Sequence, residues 1–210
     1  MTGKSGGDRV TQGEGRMPAK SGWVLALATM TLSGCISLGG EPPEQLYTLT
    51  PTSMAAAGTG ATSEASAALA VLVPSAPQRL NVTRVPVQVS DSSLAYLQDA
   101  FWVEKPAMLF RNLLAETIRA RGNRLVVGTG ELEYAAATQL SGQLVEMGYD
   151  APSMRVLVRY DAVLSLPGGE LRTRRFESSV ENIAPEAAVV GPALNQAANA
   201  VAIEVADWVG

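Results

Sequence analysis

The sequence predicts an α+β fold, a two-layer sandwich of a mainly antiparallel sheet packed against two helices. Three observations lead there. The segments 138–149, 154–166 and 170–180 are long, strand-like and separated by the turn-rich stretches Asp150-Ala151-Pro152-Ser153 and Pro167-Gly168-Gly169. Two other segments, after Glu104 and after Pro185, repeat apolar residues at offsets of three and four, the signature of a helix with one buried face. A sheet with one apolar face and helices with one apolar stripe bury each other most simply as two layers.

Taken in chain order, Leu46-Tyr47-Thr48-Leu49-Thr50 alternates as a short strand. Residues 51–67 form an Ala/Ser/Thr/Gly tract with too few large apolar groups to pack, and read as a flexible insertion. Leu69-Ala70-Val71-Leu72-Val73 is a strand closed by Pro74. Residues 80–89 make a less regular strand, placed toward an edge because Pro86 cannot donate to a ladder, and Ser93 to Leu97 are expected to pair with it. The first helix starts near Glu104, with Pro106 in its first turn, Phe110, Leu113, Leu114, Thr117 and Ile118 on one face, and Gly122 as its stop. Residues 124–127 read as a strand leaving it. In the segment 154–166, Met154, Val156, Val158, Tyr160, Ala162, Leu164 and Leu166 share one side, while Arg155, Arg159, Asp161 and Ser165 share the other. That period of two marks one core face and one wetter face, the latter interrupted by Leu157 and Val163. The final stripe is Val190, Leu194, Ala197, Val201, Val205 and Trp208, with Gly191-Pro192 marking either a kink or a late helix start.

Ahead of all this stands Leu32-Ser33-Gly34-Cys35, which closes a charged segment from Met17 and an apolar run from Val24 to Leu32. The run is well short of the ~20 residues a spanning helix needs, so it reads as a secretory signal. The four residues resemble the bacterial lipobox. That resemblance implies a diacylglycerol on the Cys35 thiol, cleavage before it and an N-acyl lipid on the new terminus. Met17 reads as the start of translation, and residues 1–34 as upstream segment and signal. Residues 35–45 then form a lipidated tether of at most about 35 Å at ~3.3 Å per residue. Ile36 after the cysteine, rather than an aspartate, favours the outer membrane, with the domain of residues 46–210 facing the periplasm.

Cleavage there removes 34 of 210 residues and leaves 12 basic against 18 acidic side chains, a net of −6, with Lys105 the only lysine. Such a chain has no basic cluster for nucleic acid, and charge would not hold it on anionic lipid. The anchor is the lipid itself, since two or more acyl chains hold stably where one does not. The sequence has no histidine and one cysteine. This excludes Cys/His zinc sites, histidine-based hydrolytic triads and thiol redox motifs. Gly128-Thr129-Gly130 lacks the Gly-Lys-Ser/Thr of a nucleotide loop, and nothing in the sequence joins Glu146, Asp150 and Asp161 into an acid/base pair. No metal, cofactor or catalytic residue is expected beyond the lipid on Cys35.

Several segments in order resemble the auxiliary lipoproteins of ABC-type transport systems, a family that includes the paraquat-inducible lipoprotein working with MCE-type lipid transporters. They are Leu46-Tyr47-Thr48-Leu49, Leu69-Ala70-Val71-Leu72-Val73-Pro74, the stretch from Leu94 to Trp102, Pro106 with the helix from Leu109 to Ile118, Leu140-Ser141-Gly142-Gln143-Leu144, and the alanine-rich end at Trp208-Val209. Two departures are Phe101, where many members carry a basic residue, and the length of the 51–67 insertion. The resemblance implies a non-catalytic auxiliary subunit that works with an MCE-domain protein and ABC transporter components in lipid transport between the two membranes. A structural outer-membrane lipoprotein of another envelope assembly machine is the alternative, and self-association into a homo-oligomer is compatible with either. Tyr96, Phe101 and Trp102 have two readings: core packing, or a partly exposed apolar rim that contacts partner or lipid. Arg172, Arg174 and Arg175 read as a solvated strand face.

Overall fold

The computed structural model describes residues 45–62, 64, 67–122, 124–128 and 135–210. Cys35, the signal and the tether up to residue 44 lie outside the described residues.

Within the described residues the strands are β1 (Leu69–Val71), β2 (Arg84–Ser90), β3 (Ser93–Phe101), β4 (Val126–Val127), β5 (Thr138–Asp150), β6 (Arg155–Ser165) and β7 (Leu171–Val180). The helices are α1 (Pro106–Arg121) and α2 (Ala187–Val209). All seven strands form one sheet organised by β5. On one side β5 pairs antiparallel with β6 from Gln139 to Asp150, and β6 pairs antiparallel with β7 over its whole length. These are the three segments whose alternation is plain in the sequence.

The other edge of β5 is shared. Its start pairs in parallel with β1, which in turn pairs with β4, and its end pairs in parallel with β2, which carries β3. Between those two, the chain after β1 runs along the same edge: Leu72 N–H donates to Leu140 O, Ser75 N–H to Gly142 O, and Leu144 N–H to Ser75 O, each at 2.9 Å. Arg79 then reaches Val145 O at 2.8 Å and the Glu146 carboxylate at 2.6 Å. The edge is thereby satisfied almost end to end, as a buried backbone must be. The sheet is mixed rather than purely antiparallel, although its longest ladders are antiparallel.

Both helices lie on one face. Val156, Val158, Tyr160, Ala162 and Leu164 of β6 are buried there with Leu140, Leu144 and Met147 of β5 and Phe176 of β7. Against them pack Phe110, Leu113, Leu114 and Ile118 of α1 and Val190, Leu194, Ala197, Val201 and Val205 of α2. Ala198 and Ala202 are also fully buried, small side chains that suit close approach of helix to helix.

Two local expectations are corrected and two are made specific. Met154 is 56% exposed with φ of 47°, so it belongs to the turn and β6 begins at Arg155. β2 lies inside the sheet, not at its edge; Pro86 is tolerated where the pairing with β3 shifts register and the pairing with β5 has not yet begun. Gly122 ends α1 in an extended conformation with its N–H on Ile118 O, not through a left-handed cap. α2 begins at Ala187, so Pro192 sits inside the helix and the late start is excluded.

Candidate functional site

The end of β3 and the first described residues form the one place where the sequence-selected aromatics meet other elements. Tyr47 bridges in parallel to Trp102: Tyr47 N–H donates to Phe101 O at 2.7 Å and Val103 N–H to Tyr47 O at 2.9 Å. Trp102 N–H donates to Thr83 O at 2.7 Å, so this short ladder extends the β2–β3 hairpin.

Alternation then decides which side chains face inward. Trp102 is 1% exposed, and the Tyr47 ring meets it edge-on at 6.2 Å. The Tyr47 ring also lies over Gly191 of α2, where a Cβ would stand 2.4 Å from Cε1. Glycine is therefore what lets the ring seat against the helix. Of the two readings of Trp102, packing is what its burial supports; the side chain is not accessible as a rim.

Phe101 and Tyr96 are only partly buried and lie on the outward side. Arg84, which pairs with Phe101 across the hairpin, sets its guanidinium 5.0 Å from the Tyr96 ring centre and 5.9 Å from that of Phe101. The extra residues of β3 between Tyr96 and Phe101 bulge out, with Asp99 at φ of 55°, and this brings two aromatics of one strand to a single arginine. Beside Tyr96 a shallow groove of about 400 Å³ runs between β3 and the start of α2, lined among others by Val87, Leu97, Asp99, Pro185 and Ala187.

The chain after Tyr47 is tied to the helices. Asn195 Oδ1 accepts from Thr50 N–H, and Asn199 Oδ1 accepts from Thr52 N–H, both at 2.8 Å. Asn199 Nδ2 donates to Thr50 O at 2.9 Å and to Asn195 O at 2.8 Å. Ala55 N–H donates to Glu116 of α1 at 2.9 Å. The start of the 51–67 tract is thus strapped across both helices, and Leu49 is buried beneath it.

The acidic residues weighed as chemistry each meet an arginine. Glu146 pairs with Arg79, Asp150 with Arg155, and Asp161 with both Nε and Nη2 of Arg175 at 2.6 Å. The hydrogen bond and charge of Arg175 hold the Asp161 carboxyl below the usual carboxylate range. The Tyr160 phenol, buried and donating to Ser141 O at 2.6 Å, is pushed above its ordinary value by burial. Arg174 lies 4.9 Å over the Phe176 ring, and Arg172 pairs with Glu170. Among the described residues no group of three or more metal-ligating side chains converges.

Arg84, Asn195 and Asn199 carry no signal in the sequence, and Tyr47 and Gly191 are marked there only as part of a strand and of a kink or helix start. Their partners lie far along the chain or across a bulge, and no local spacing announces them.

A family model described as the ABC-type transport auxiliary lipoprotein component matches residues 47–206. The chain belongs to this family. Its matched region begins at Tyr47 itself and takes in all seven described strands, α1, and α2 as far as Ala206. A crystal structure of a Xanthomonas campestris protein, described under the family model DUF330, is similar to this auxiliary lipoprotein with a TM-score of 0.65 at 18% identity, over 79% of this chain and 94% of that one. A second crystal structure, of an uncharacterized protein, is similar with a TM-score of 0.61 at 15% identity, over 79% and 97% of the two chains. Both likenesses concern the fold. No curated protein matches the chain in sequence. Family membership makes it an auxiliary lipoprotein of ABC-type transport, a role of the cell envelope, and among the described residues no helix is long and apolar enough to cross a membrane.

Proposed function

We propose that this protein is a non-catalytic subunit of an MCE-type system that moves lipid between the two bacterial membranes, held on the periplasmic face of the outer membrane by lipid on Cys35. The observation that carries the reading is the family match from Tyr47 to residue 206, directly downstream of the lipobox Leu32-Ser33-Gly34-Cys35. The lipobox supplies the anchor. The folded domain supplies surface rather than chemistry: its weighed carboxylates are each engaged by arginine, and Tyr96 and Phe101 give it partly exposed aromatic area. Aromatics and arginine together favour contact with other molecules.

Affinity purification of the lipidated full chain from native membranes in mild detergent tests this. An MCE-domain protein and ABC components should copurify. Recovery of ABC components without an MCE protein would leave the family role and refute the MCE assignment, and recovery of another envelope machine would overturn both.

A further inference from the structure

We propose that Leu46, Phe101, Arg84, Tyr96 and Val103 form a phospholipid-facing surface that lies in the headgroup layer of the membrane carrying the anchor. The proposal rests on the reading of Cys35 as the lipid attachment point, and goes beyond it by giving the domain an orientation.

The geometry follows from one bridge. Tyr47 and Trp102 are paired and point inward together, so their neighbours point outward: Leu46 beside Phe101 on one side of the pair, and Val103 on the other. Across the hairpin Arg84 stands opposite Phe101 and stacks on Tyr96. The result is a row over three adjacent segments, aliphatic at one end and aromatic with a cation at the other. Leu46 is 53% exposed and Val103 46%.

The occupant is argued from charge and from the chain itself. The mature sequence carries a net of −6, yet Arg84 and Lys105, its only lysine, both fall at this end of the domain, and neither makes an ion pair with any described residue. An exposed guanidinium set over aromatic rings can meet a lipid phosphate while the rings sit at headgroup depth. Only nine residues lie between Cys35 and Gln45, and the chain enters the domain at Leu46, inside the row. The described chain thus begins on the side on which Leu46, Val103, Arg84 and Lys105 are exposed. A lipid chain together with a membrane-facing patch supplies the two signals that stable membrane attachment takes.

The test uses the lipidated full chain reconstituted in phosphatidylethanolamine/phosphatidylglycerol vesicles, with Val103→Cys carrying a polarity-sensitive fluorophore. Leu46→Cys is the second position should the first disturb folding. Leu171→Cys is the control: it is 64% exposed on β7, four strands across the sheet from β3. The labels at positions 103 and 46 should shift to the blue and be quenched by lipids spin-labelled in the headgroup, while the label at 171 stays in water. Labels that all stay in water, or that are all quenched alike, overturn the surface while leaving the anchor intact. Chain that does not float with the vesicles fails at Cys35 instead, and the surface falls with it.

Discussion

Replacing Gly191 by alanine should destabilise the protein, although alanine is the better helix former. Gly191 lies in α2 and its substitution has two opposing consequences. Removing glycine from a helix interior is worth up to about 1 kcal/mol, and less here because Pro192 follows and crowds any Cβ before it. Against this, the new Cβ would stand 2.4 Å from Tyr47 Cε1, 2.6 Å from Cδ1 and 3.0 Å from Cζ. The ring cannot simply swing away, because its backbone is bridged to Trp102 and its edge contacts the indole at 6.2 Å. Overpacking of this kind costs about 1–3 kcal/mol. The net expectation is a loss of about 1–2 kcal/mol, roughly 2–6 °C in melting temperature for a domain of this size. The decisive comparison is Gly191→Ala on a Tyr47→Ala background. With the ring gone the clash vanishes, and the same substitution should be neutral or stabilising by up to about 1 kcal/mol. Urea denaturation of the four proteins gives the coupling directly, expected at about 1–3 kcal/mol. Equal effects of Gly191→Ala on both backgrounds, within about 0.5 kcal/mol, would refute the seating of Tyr47 on α2.

Asn199→Ala should cost about 1–3 kcal/mol, because Thr50 O and Thr52 N–H lose partners in a partly buried strap; hydrogen exchange at the Thr52 amide should speed up more than at the centre of β6. Gly142→Ala should be among the most damaging single changes, at about 3 kcal/mol or more, since the residue has φ of 146° and a Cβ would lie 2.0 Å from Asp161 O; thermal melting reads it, and a loss under about 1 kcal/mol would contradict the register of β5 on β6. For Asp161 the folded carboxyl titrates below its unfolded value of 3.8, so its pairing with Arg175 stabilises above that pH and is lost as pH falls through the folded value. Asp161→Asn should therefore flatten the acid limb of the stability curve below about pH 4, by less than about 1 kcal/mol because the pair is solvent-screened.

What was legible in the sequence was whatever depends on near neighbours. Val156 to Leu164 alternate with Arg155, Arg159 and Asp161, and that pattern alone sorts β6 into a buried and a wet face, as the structure has it. Phe110, Leu113, Leu114 and Ile118 likewise define the inward face of α1. The pattern fails at Met154, where the turn after β5 overrides the apolar side chain. It also gives no partner for β1, β2 and β4: β1 and β2 pair in parallel with β5, and β4 in parallel with β1, through connections too long for any local pattern to reveal. Trp102 is the instructive case. Phe101 and Trp102 are consecutive aromatics with equal claim to burial, and only the bridge to Tyr47 and the bulge at Asp99 decide which turns inward. The Tyr47 seat on Gly191 joins residues 144 positions apart, beyond the reach of any local reading.

The same distance explains why the strap matters for function. A lipid on Cys35 can fix a domain near a membrane without orienting it, because a tether of about ten residues is compatible with many attitudes. Orientation requires that the point where the tether ends be rigid with respect to the core. Here that point is fixed several times over: Tyr47 by its bridge and by Gly191, Leu49 by burial, Thr50 and Thr52 by Asn195 and Asn199, and Ala55 by Glu116. Under the proposed lipidation of Cys35, position imposed at the anchor would be passed to both helices and to the β2–β3 hairpin. If the strap is what orients the domain, Asn199→Ala should leave vesicle flotation intact while weakening headgroup quenching of a label at Val103. Unchanged quenching in that variant would mean that the exposed row holds its place on the bilayer unaided, and that the hydrogen bonds of the strap serve stability alone.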